Sequence, residues 1–276
     1  MLTVVNLLKM QEDKKINNLA ISIVTYNSKE IFKTLNSLQK ELKDHPEVKV
    51  YVFDNHSSEE YQKKLREYES DHFTITFFAE NKGFGFGHNY NAKLANEELF
   101  LVCNPDVLIN QKSVALMVDY MKKHPEVSLT APKVLNADGT PQYLMRQKLD
   151  VFDYMIRFVP FKVVKKIFDD RLSKYECREV TDSDEIQEVL FVSGCFMLFQ
   201  KKDFDAINGF DERFFMYFED NDICRRLRDA GGKIIYLPQA TIIHFYGKEA
   251  HKSRKIFGIF MRSMKTYFDK WGWQFF

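Results

Sequence analysis

The first 110 residues alternate between short apolar runs and segments in which apolar residues recur every three or four positions. The short runs predict four buried strands, at 19–26, 48–55, 72–81 and 99–103. The intervening segments predict helices at 28–42, 57–70 and 90–97. Consecutive strands joined through helices need crossover connections, so we expect a mainly parallel central sheet flanked by helices.

The remaining residues have a less regular pattern. Helices are predicted at 111–124 and within 150–178, a turn at 137–142, and one or two buried strands at 188–200. Gly194 interrupts that last apolar run, where we expect a bulge or a close backbone approach. A further strand is predicted over 233–243, and 248–276 has helical periodicity.

Composition narrows the class of protein. With 45% hydrophobic and 29% charged residues, the 276-residue chain is balanced like a globular protein and is long enough for one large α/β domain. A net charge of +1 gives no indication of nucleic-acid binding. The four cysteines are far apart, which favours a reduced cytosolic protein over a disulfide framework or a zinc site. The apolar start, "MLTVVNLLKM", is too short to span a membrane and lacks the basic start of a secretory signal.

Polar residues follow each of the four predicted strands. They are Thr25-Tyr26-Asn27, Asp54-Asn55, Asn81 and Asn104-Pro105-Asp106. The carboxyl ends of parallel strands share one edge of a sheet, and that edge is where such sheets bind ligands. Ordinary turn and capping chemistry explains single cases equally well. Asp106 is therefore open to three roles: turn residue, ribose anchor or metal ligand.

The segment after the third strand, "NKGFGFGHN" (81–89), contains Gly83, Gly85 and Gly87, and we expect it to be a loop. Backbone N–H groups in such a loop can approach an anionic ligand closely. Asp106 follows Gly85 by 21 residues, so a dinucleotide-dependent oxidoreductase is one hypothesis. The GxGxG spacing and the position after the third strand argue against it. A tight strand-to-helix turn explains the glycines as well.

An acidic helix start is predicted within "FDERFFMYFEDNDICRRLRDAGG" (210–232). Its apolar stripe includes Ile223 and Leu227. This stripe leaves Glu219, Asp220 and Asp222 in the first turn. These carboxylates either complement the helix dipole or serve as a base or cation-binding group. His244, at the end of the last predicted strand, is either a structural residue or an imidazole ligand.

The C-terminal segment 248–276 combines seven basic and two acidic residues with a helical row of apolar side chains. That row comprises Ile256, Phe260, Met264, Tyr267 and Trp271. Such a helix either lies on an anionic membrane surface or docks on the protein core.

The ordered set of motifs resembles a family 2 glycosyltransferase of the GT-A fold. It comprises "SIVTYNS" (22–28), "VFDNHSS" (52–58), "NKGFGFGHN" (81–89), "CNPD" (103–106), "SGCFMLF" (193–199), "GFDERFFMYFEDNDICRRLRDAGG" (209–232) and "IIH" (242–244). Each motif is modest alone, but their order over residues 20–244 is specific. The NPD and EDNDIC segments resemble those of bacterial rhamnosyltransferases that build cell-wall or capsular polysaccharide.

The resemblance implies a domain plan and a set of site residues. One GT-A domain would span 1–276, with a Rossmann-like nucleotide-sugar-binding half at 18–110, an acceptor-binding half at 111–247 and the C-terminal helix at 248–276. Eight residues would bind the nucleotide-sugar: Thr25, Tyr26, Asn27, Asp54, Asn81, Gly83, Asn104 and Asp106. Among them, Asp54 would hydrogen-bond the base, and Asp106 with His244 would bind Mg²⁺ or Mn²⁺ at the diphosphate. Asp220 would be the general base, with Glu219 orienting the acceptor.

The implied reaction is a single displacement that inverts the anomeric carbon of the sugar, with the cation at the leaving group and a carboxylate taking the acceptor proton. We expect rhamnose from dTDP-rhamnose as the donor sugar. A lipid-linked saccharide is the expected acceptor, at the cytoplasmic, inner face of the plasma membrane. The basic tail would supply a peripheral membrane contact. A homodimer is one assembly open to such a chain, and no nucleic-acid partner is expected.

Two alternatives stay open within this resemblance: a transferase of the same family that uses UDP-galactose, UDP-N-acetylglucosamine or UDP-glucose, and a non-catalytic nucleotide-sugar-binding module. Asp106 and Asp220 argue against the second.

Asn104 stands where the family's DXD motif has its first aspartate, which removes one charge from the cation site. Arg146 and Arg157 are candidates for contact with an acceptor phosphate, although such arginines are more often structural.

Overall fold

A nine-stranded sheet forms the centre of the molecule. The computed structural model describes residues 16–159, 161–245 and 254–276. The strands are β1 Leu19–Thr25, β2 Lys49–Asp54, β3 Phe73–Phe77, β4 Leu99–Cys103, β5 Val107–Leu108, β6 Val127–Leu135, β7 Gln187–Glu188, β8 Phe196–Gln200 and β9 Lys233–His244. The helices of the described residues are α1 Ile31–Glu41, α2 Glu59–Arg66, α3 Phe84–Leu94, α4 Gln111–Lys123, α5 Val151–Phe158, α6 Lys162–Ile167, α7 Asp169–Tyr175, α8 Arg178–Asp182, α9 Lys201–Ala206, α10 Glu219–Asp229 and α11 Arg254–Trp271.

The expected α/β arrangement is confirmed, and the sheet is mixed. Its order is β3-β2-β1-β4-β8-β6-β9-β5, with β7 paired to β9. The first four strands are parallel, so their carboxyl ends lie along one edge. β8 runs antiparallel to both β4 and β6, whereas β6 and β9 are parallel. The crossover pattern read from the first 110 residues therefore gives the parallel half, and the second half adds strands in both directions.

Both faces of the sheet are covered by apolar side chains. Along β4, Leu99 and Leu101 join one buried cluster and Phe100 and Val102 the other, because successive strand residues point to opposite faces. Helices α1 and α4 contribute to the first cluster, and helices α3, α10 and α11 to the second. With both faces covered, polar groups concentrate at the strand ends.

The glycine-rich segment is not the loop that the sequence predicts. Helix α3 begins at Phe84, so Gly85 and Gly87 lie inside its first turns. A Cβ at Gly85 would lie 2.8 Å from the Cβ of Phe210, and one at Gly87 would lie 2.6 Å from a Val24 methyl group. These glycines let the helix pack close to its neighbours. The helix predicted over 90–97 therefore begins at residue 84 in the structure and ends at residue 94.

Gly83 is a glycine whose backbone conformation and surroundings both exclude a side chain. Its φ is +91°, and a Cβ there would lie 2.2 Å from the carbonyl oxygen of Phe215. Gly139 offers a matched control, because its φ is +83° and a Cβ there would meet nothing within 4 Å. We expect Gly83→Ala to lower the free energy of unfolding by more than about 2 kcal/mol, and Gly139→Ala by about 1 kcal/mol, in urea titrations. Equal losses would show that backbone strain alone matters.

The apolar row of the C-terminal segment faces the core. Phe260, Met264 and Tyr267 of α11 are at most 6% exposed and belong to the second cluster. That row is therefore buried against protein, as the docking alternative predicts. No helix among the described residues is long and apolar enough to cross a membrane. The apolar start at 1–10 lies outside the described residues.

Candidate active site

Three strand ends are joined by hydrogen bonds at the parallel edge of the sheet. The Asn27 backbone, at φ +47°, donates its N–H to Ser57 Oγ at 2.8 Å. Asn55 donates through Nδ2 to the carbonyl of Gly83 at 2.9 Å and accepts through Oδ1 from the N–H of Lys82. Asn81 accepts the N–H of Gly83 at 3.0 Å. Asn27, Asn55 and Asn81 thus fix the loops that surround the strand ends.

Thr25 and Tyr26 lie at the same edge but differ in exposure. Thr25 is buried, and its hydroxyl forms a short hydrogen bond with the hydroxyl of Tyr61. The ring of Tyr26 is 56% exposed and lies at the mouth of this edge. Of the two, Tyr26 is the side chain that a ligand can reach directly.

Asp54 is a fully buried carboxylate with one oxygen left over. Its Oδ2 accepts from the N–H of Ser57 at 3.1 Å and from Nε2 of Gln62 at 2.8 Å. Its Oδ1 has no hydrogen-bond partner among the described residues. A buried acceptor of this kind is costly unless a donor reaches it. The end of β2 therefore suits a ligand that carries an N–H or O–H group.

The Asn104-Pro105-Asp106 turn is fixed from two directions. The N–H of Asn104 donates to the carbonyl of Cys195 at 2.9 Å, and the hydroxyl of Thr34 donates to the carbonyl of Pro105 at 2.8 Å. Pairing of β5 with β9 then brings His244 beside the turn. The proline and these two hydrogen bonds hold Asp106 in one place.

Asp106 and His244 form a pair that fits a divalent cation. His244 Nε2 lies 3.2 Å from Asp106 Oδ1 and 3.4 Å from Asn104 Nδ2. Asp106 Oδ1 has no partner with hydrogen-bond geometry among the described residues. Carboxylate oxygen and imidazole nitrogen are both good ligands for a metal such as Mn²⁺. The described residues contain no group of three or more His, Cys, Asp or Glu side chains suited to a metal, so a cation here would need further ligands from a substrate.

Gln142 sets the orientation of the imidazole. Its amide nitrogen donates to the carbonyl of His244 at 2.8 Å and to Asn136 Oδ1 at 2.9 Å. Its amide oxygen must therefore face His244 Nδ1, which lies 3.0 Å away, and Nδ1 carries the proton. Nε2 is left as the electron-pair donor on the Asp106 side, which is the form that ligates a metal.

The acidic helix start is held by two consecutive residues in left-handed backbone conformations. Tyr217 has a φ of +73° and Phe218 a φ of +67°, which is uncommon for aromatic residues and costs free energy. The ring of Phe218 compensates by packing against Tyr154 and Tyr267, with centroids 4.8 and 5.6 Å away. This turn places Glu219 and Asp220 at the beginning of α10.

Asp220 accepts hydrogen bonds at both of its carboxylate oxygens. Its Oδ2 accepts from the N–H of Gly194 at 3.1 Å, and its Oδ1 from the backbone and side-chain amides of Asn221 at 2.8 Å. Burial raises the pKa of Asp220, while these hydrogen bonds and the charge of Arg146 oppose the rise. Burial and the neighbouring Asp220 charge raise the pKa of Glu219 well above its usual range. Of the two carboxyl groups, Glu219 therefore favours the protonated form more strongly.

Glu219 predicts a measurable pH dependence of stability. Because its pKa is higher in the folded state than in the unfolded chain, the folded state holds the proton that the unfolded chain has lost. Stability then falls as pH rises from the ordinary carboxyl range toward the raised value. We expect Glu219→Gln to raise the urea midpoint at pH 7 and to flatten its decline between pH 5 and 8. An unchanged slope would contradict a neutral Glu219.

Segment 193–195 joins the two halves of the site. The carbonyl of Cys195 holds the N–H of Asn104, and the N–H of Gly194 holds Asp220. A Cβ at Gly194 would lie 3.4 Å from the Cβ of Asp220, which is an ordinary contact distance. The charges of Asp106 and Asp220 both raise the pKa of the Cys195 thiol, after the larger effect of burial. The two carboxylates therefore flank one short segment.

Asp222 fixes α10 to the C-terminal helix. It is fully buried and accepts from Arg226 Nε at 2.7 Å and from Trp271 Nε1 at 2.8 Å. Lys270 Nζ lies 2.6 Å from the same carboxylate. Ser263 of α11 also donates to the carbonyl of Met216 at 2.8 Å. Helix α11 thus holds both sides of the turn that presents Asp220.

Comparison with known sequences agrees with this geometry. Residues 17–261 match the sequence profile described as "Glycosyltransferase like family 2". The chain is a family 2 glycosyltransferase. The GT-A fold expected from the motifs is confirmed for this family 2 glycosyltransferase by its likeness to solved glycosyltransferase structures.

Curated relatives share 27–28% of their residues with this glycosyltransferase. "Rhamnosyltransferase WbbL" of Escherichia coli K12 is 27% identical over 247 residues, which cover 86% of this chain and 85% of the relative. "N-acetylglucosaminyl-diphospho-decaprenol L-rhamnosyltransferase" of Mycobacterium tuberculosis is 28% identical over 148 residues, covering 54% of this chain and 47% of the relative. The chain thus spans most of the first relative and about half of the second.

Two solved structures illustrate the shared fold. The mannosyltransferase PcManGT of Pyrobaculum calidifontis, in complex with GDP-Man and Mn²⁺, has a TM-score of 0.58 and 15% identity. Residues 1–349 of TarS from S. aureus, in complex with UDP-GlcNAc, have a TM-score of 0.57 and 18% identity. Each match covers 87% of this glycosyltransferase, and 60% and 64% of the respective solved chains.

The polar residues at the strand ends can be identified from the sequence, but their hydrogen-bond and ion-pair partners cannot. Gln142 lies in an ordinary turn sequence, and no local pattern connects it to His244. Arg146 was named for an acceptor phosphate, and it lies 9% exposed within electrostatic reach of Asp220. Arg157 is paired with Glu176 at 3.4 Å. The Asp222 carboxylate follows the predicted acidic pair, but its partner Trp271 is 49 residues away.

Proposed function

We propose that this glycosyltransferase moves rhamnose from dTDP-rhamnose to a hydroxyl of a lipid-linked saccharide, with inversion at the anomeric carbon. The single observation that carries the chemistry is the placement of Asp106 and Asp220 on either side of segment 193–195. The name of the E. coli relative supports rhamnose, and the name of the M. tuberculosis relative supports a saccharide carried on a lipid diphosphate. The reaction would take place at the cytoplasmic face of the membrane that holds such an acceptor.

The half of the chain at 18–110 would bind the nucleotide. The ring of Tyr26 is exposed where a base or ribose would enter, and Asn27 and Asn81 fix the loops around it. The unsatisfied Oδ1 of Asp54 accepts but does not donate. Thymine and uracil both present an imide N–H, so Asp54 supports a base of this kind and does not choose between the two.

This role of Asp54 predicts discrimination between pyrimidine bases. Cytosine has no hydrogen on N3, so it would place an acceptor against the buried carboxylate oxygen. We expect CDP to bind at least about tenfold more weakly than UDP in calorimetric titrations. Asp54→Asn should narrow or reverse this preference, because the amide can donate a hydrogen bond to N3 of cytosine. Equal binding of UDP and CDP by the unchanged protein would contradict the role.

Asp106 and His244 would hold the divalent cation, with Asn104 beside them. When bound, such a cation stabilises the negative charge that develops on a diphosphate leaving group. Asp106 supplies an oxygen that has no hydrogen-bond donor within the described ranges 16–159, 161–245 and 254–276, and His244 supplies a nitrogen whose orientation Gln142 fixes. Asn104 contributes a neutral amide where the related motif has a carboxylate, so this chain offers one negative charge to the cation.

Asp220 would take the proton from the acceptor hydroxyl. Asp220 is partly accessible, whereas Glu219 is 6% exposed and has a raised pKa that favours its protonated form. A neutral Glu219 can donate a hydrogen bond to the acceptor, which orients a hydroxyl toward Asp220. One base opposite the leaving group is sufficient for direct displacement. The second carboxyl group that a retaining glycosidase needs as a nucleophile is not required.

A donor panel tests the proposal. The purified protein would be mixed with dTDP-rhamnose, UDP-galactose, UDP-glucose or UDP-N-acetylglucosamine, each with and without Mn²⁺. Ligands that bind the folded state raise the melting temperature, and transfer would be followed on N-acetylglucosaminyl-diphospho-polyprenol. We expect the largest thermal shift and transfer with dTDP-rhamnose. Preference for a UDP-sugar would establish the alternative donor, and absence of any shift would contradict a transferase.

A further inference from the structure

The helical segment 151–175 presents an apolar face to solvent next to the acceptor end of the site. Val163 and Ile167 lie one turn apart on α6 and are 71% and 72% exposed. Phe161, directly before α6, is 67% exposed, and Phe276 is 78% exposed. We call Phe161, Val163, Ile167 and Phe276 the α6 surface. Isolated exposed apolar residues are ordinary, but a cluster of this kind marks an interaction site.

The end of α6 is connected to the C-terminal residues through Phe152. The ring of Phe152 lies 5.4 Å from that of Phe168, which follows Ile167, and 5.3 Å from that of Phe276. The backbone N–H of Phe152 also donates to the carbonyl of Phe275. Phe152 therefore joins α6 to the C-terminal residues.

Buried ion pairs hold α6 in this outward position. Asp150 and Asp153 are fully buried, and Arg171 of α7 reaches both, at 3.2 Å and 2.5 Å. This clamp connects the start of α5 with α7, and α6 lies between them in the chain. The apolar face of α6 is thus presented by a fixed framework.

The charge around the α6 surface favours an anionic partner. Residues 151–175 contain six basic and three acidic residues, and two of the acidic ones, Asp169 and Asp170, follow α6 after one intervening residue. Lys166 is exposed beside Ile167, and the sequence adds Lys162 and Lys165 on the same short helix. Apolar side chains flanked by lysines are the composition that enters the headgroup region of an anionic bilayer. A second copy of this chain would bring like charges face to face, which disfavours self-association.

Helix α5, which precedes α6 in the chain, contacts the turn that presents Asp220. On α5, the ring of Tyr154 packs 4.8 Å from that of Phe218, and Phe218 directly precedes the acidic pair. We propose that the α6 surface binds the anionic membrane surface and thereby brings a lipid-linked acceptor to Asp220. This inference rests on the proposed function for its acceptor, but membrane binding itself is measurable without transfer. It places the membrane contact on α6 rather than on the apolar row of α11, which is buried.

Vesicle binding tests this assignment. The full chain would be sedimented with phosphatidylglycerol–phosphatidylcholine vesicles and with phosphatidylcholine vesicles, at low and high salt. We expect binding to the anionic vesicles, weakened by salt because the lysine contribution is screened. The double change Val163→Glu and Ile167→Glu should weaken binding by at least about tenfold, given the free energy of burying such side chains. Leu94→Glu is the matched control, since Leu94 is 40% exposed on α3 and should leave binding unchanged.

Three results would overturn the inference. They are no binding by the unchanged chain, equal binding by the double variant, and a dimer by light scattering that the double variant dissociates, which would assign the surface to self-association. Thermal shift with nucleotide-sugar should be the same for the double variant and the unchanged chain, which shows that the variant is folded. Vesicle binding without transfer to any lipid-linked acceptor would contradict the proposed function but would still support membrane binding by the α6 surface.

Discussion

Replacing Asp220 with asparagine is expected to lower the transfer rate by about 10²-fold to 10⁴-fold, the usual contribution of a general base. Asparagine keeps the shape of the side chain, and its amide oxygen can still accept from Gly194 or Asn221. What it removes is the ability to take a proton from the acceptor. Donor affinity should stay within about threefold, because Asp220 lies across segment 193–195 from the Asp106 turn.

Glu219→Gln is the matched control for that experiment. Because burial and the Asp220 charge raise the pKa of Glu219 and favour its protonated form, glutamine is expected to preserve both its charge and its donor group. We expect this variant to keep a rate within about tenfold of the unchanged enzyme. If Asp220→Asn transferred sugar at a near-normal rate while Glu219→Gln was inactive, the two roles would have to be exchanged. The pH profile should show activity falling with acid as Asp220 gains its proton, at a higher pH than for an ordinary aspartate.

Removal of the Asp106 carboxylate is the second change expected to have a large effect. With Asn104 in the neighbouring position, Asp106 supplies the single negative charge of the proposed cation site. We expect Asp106→Ala to lower kcat/KM by about 10²-fold to 10³-fold, the typical loss when a group that stabilises a developing charge is removed. Mn²⁺ binding in the presence of dTDP, followed by electron paramagnetic resonance, should weaken in parallel.

Asn104→Asp provides the opposite perturbation at the same turn. A second carboxylate would add charge near His244 and should tighten Mn²⁺ binding by about tenfold, since one additional close ion pair at partial exposure contributes roughly 1 kcal/mol. If Asp106→Ala bound Mn²⁺ as well as the unchanged protein did, the cation would have to lie elsewhere. A chelator should abolish the transfer activity of the unchanged protein more readily than that of Asn104→Asp.

The sequence predicts the parallel half of the fold well because its signals are local. Buried strands, intervening helices and polar strand ends can be read from period and composition between residues 19 and 106. Helix α10 and its acidic first turn follow from the same periodicity. The placement of Asp54 and Asp106 along one edge then depends only on the strands being parallel, which crossover connections require.

Other features depend on contacts between residues far apart in the chain. The sequence pattern predicts a loop at Gly85 and Gly87. The structure explains these glycines by the proximity of Phe210 and Val24, and not by a turn. The orientation of His244 depends on Gln142, 102 residues earlier, within a turn of ordinary composition. Amphipathic periodicity in 254–271 identifies the buried row but does not say whether protein or lipid covers it. Packing against Phe218 decides that question.

The packing of helix α11 against the turn that presents Asp220 affects the order in which parts of the enzyme form during synthesis. A ribosome synthesises the nucleotide-sugar-binding half, 18–110, first. The strands β1 to β4 can pair as soon as residues 19–103 have emerged. The turn carrying Asp220 has its left-handed residues stabilised by Phe260 and Tyr267, which are synthesised tens of residues later. On the proposed function, a growing chain would therefore form the strands of the nucleotide site before the turn that activates an acceptor is supported. Translation that stops before residue 254 would leave that turn without Phe260 and Tyr267.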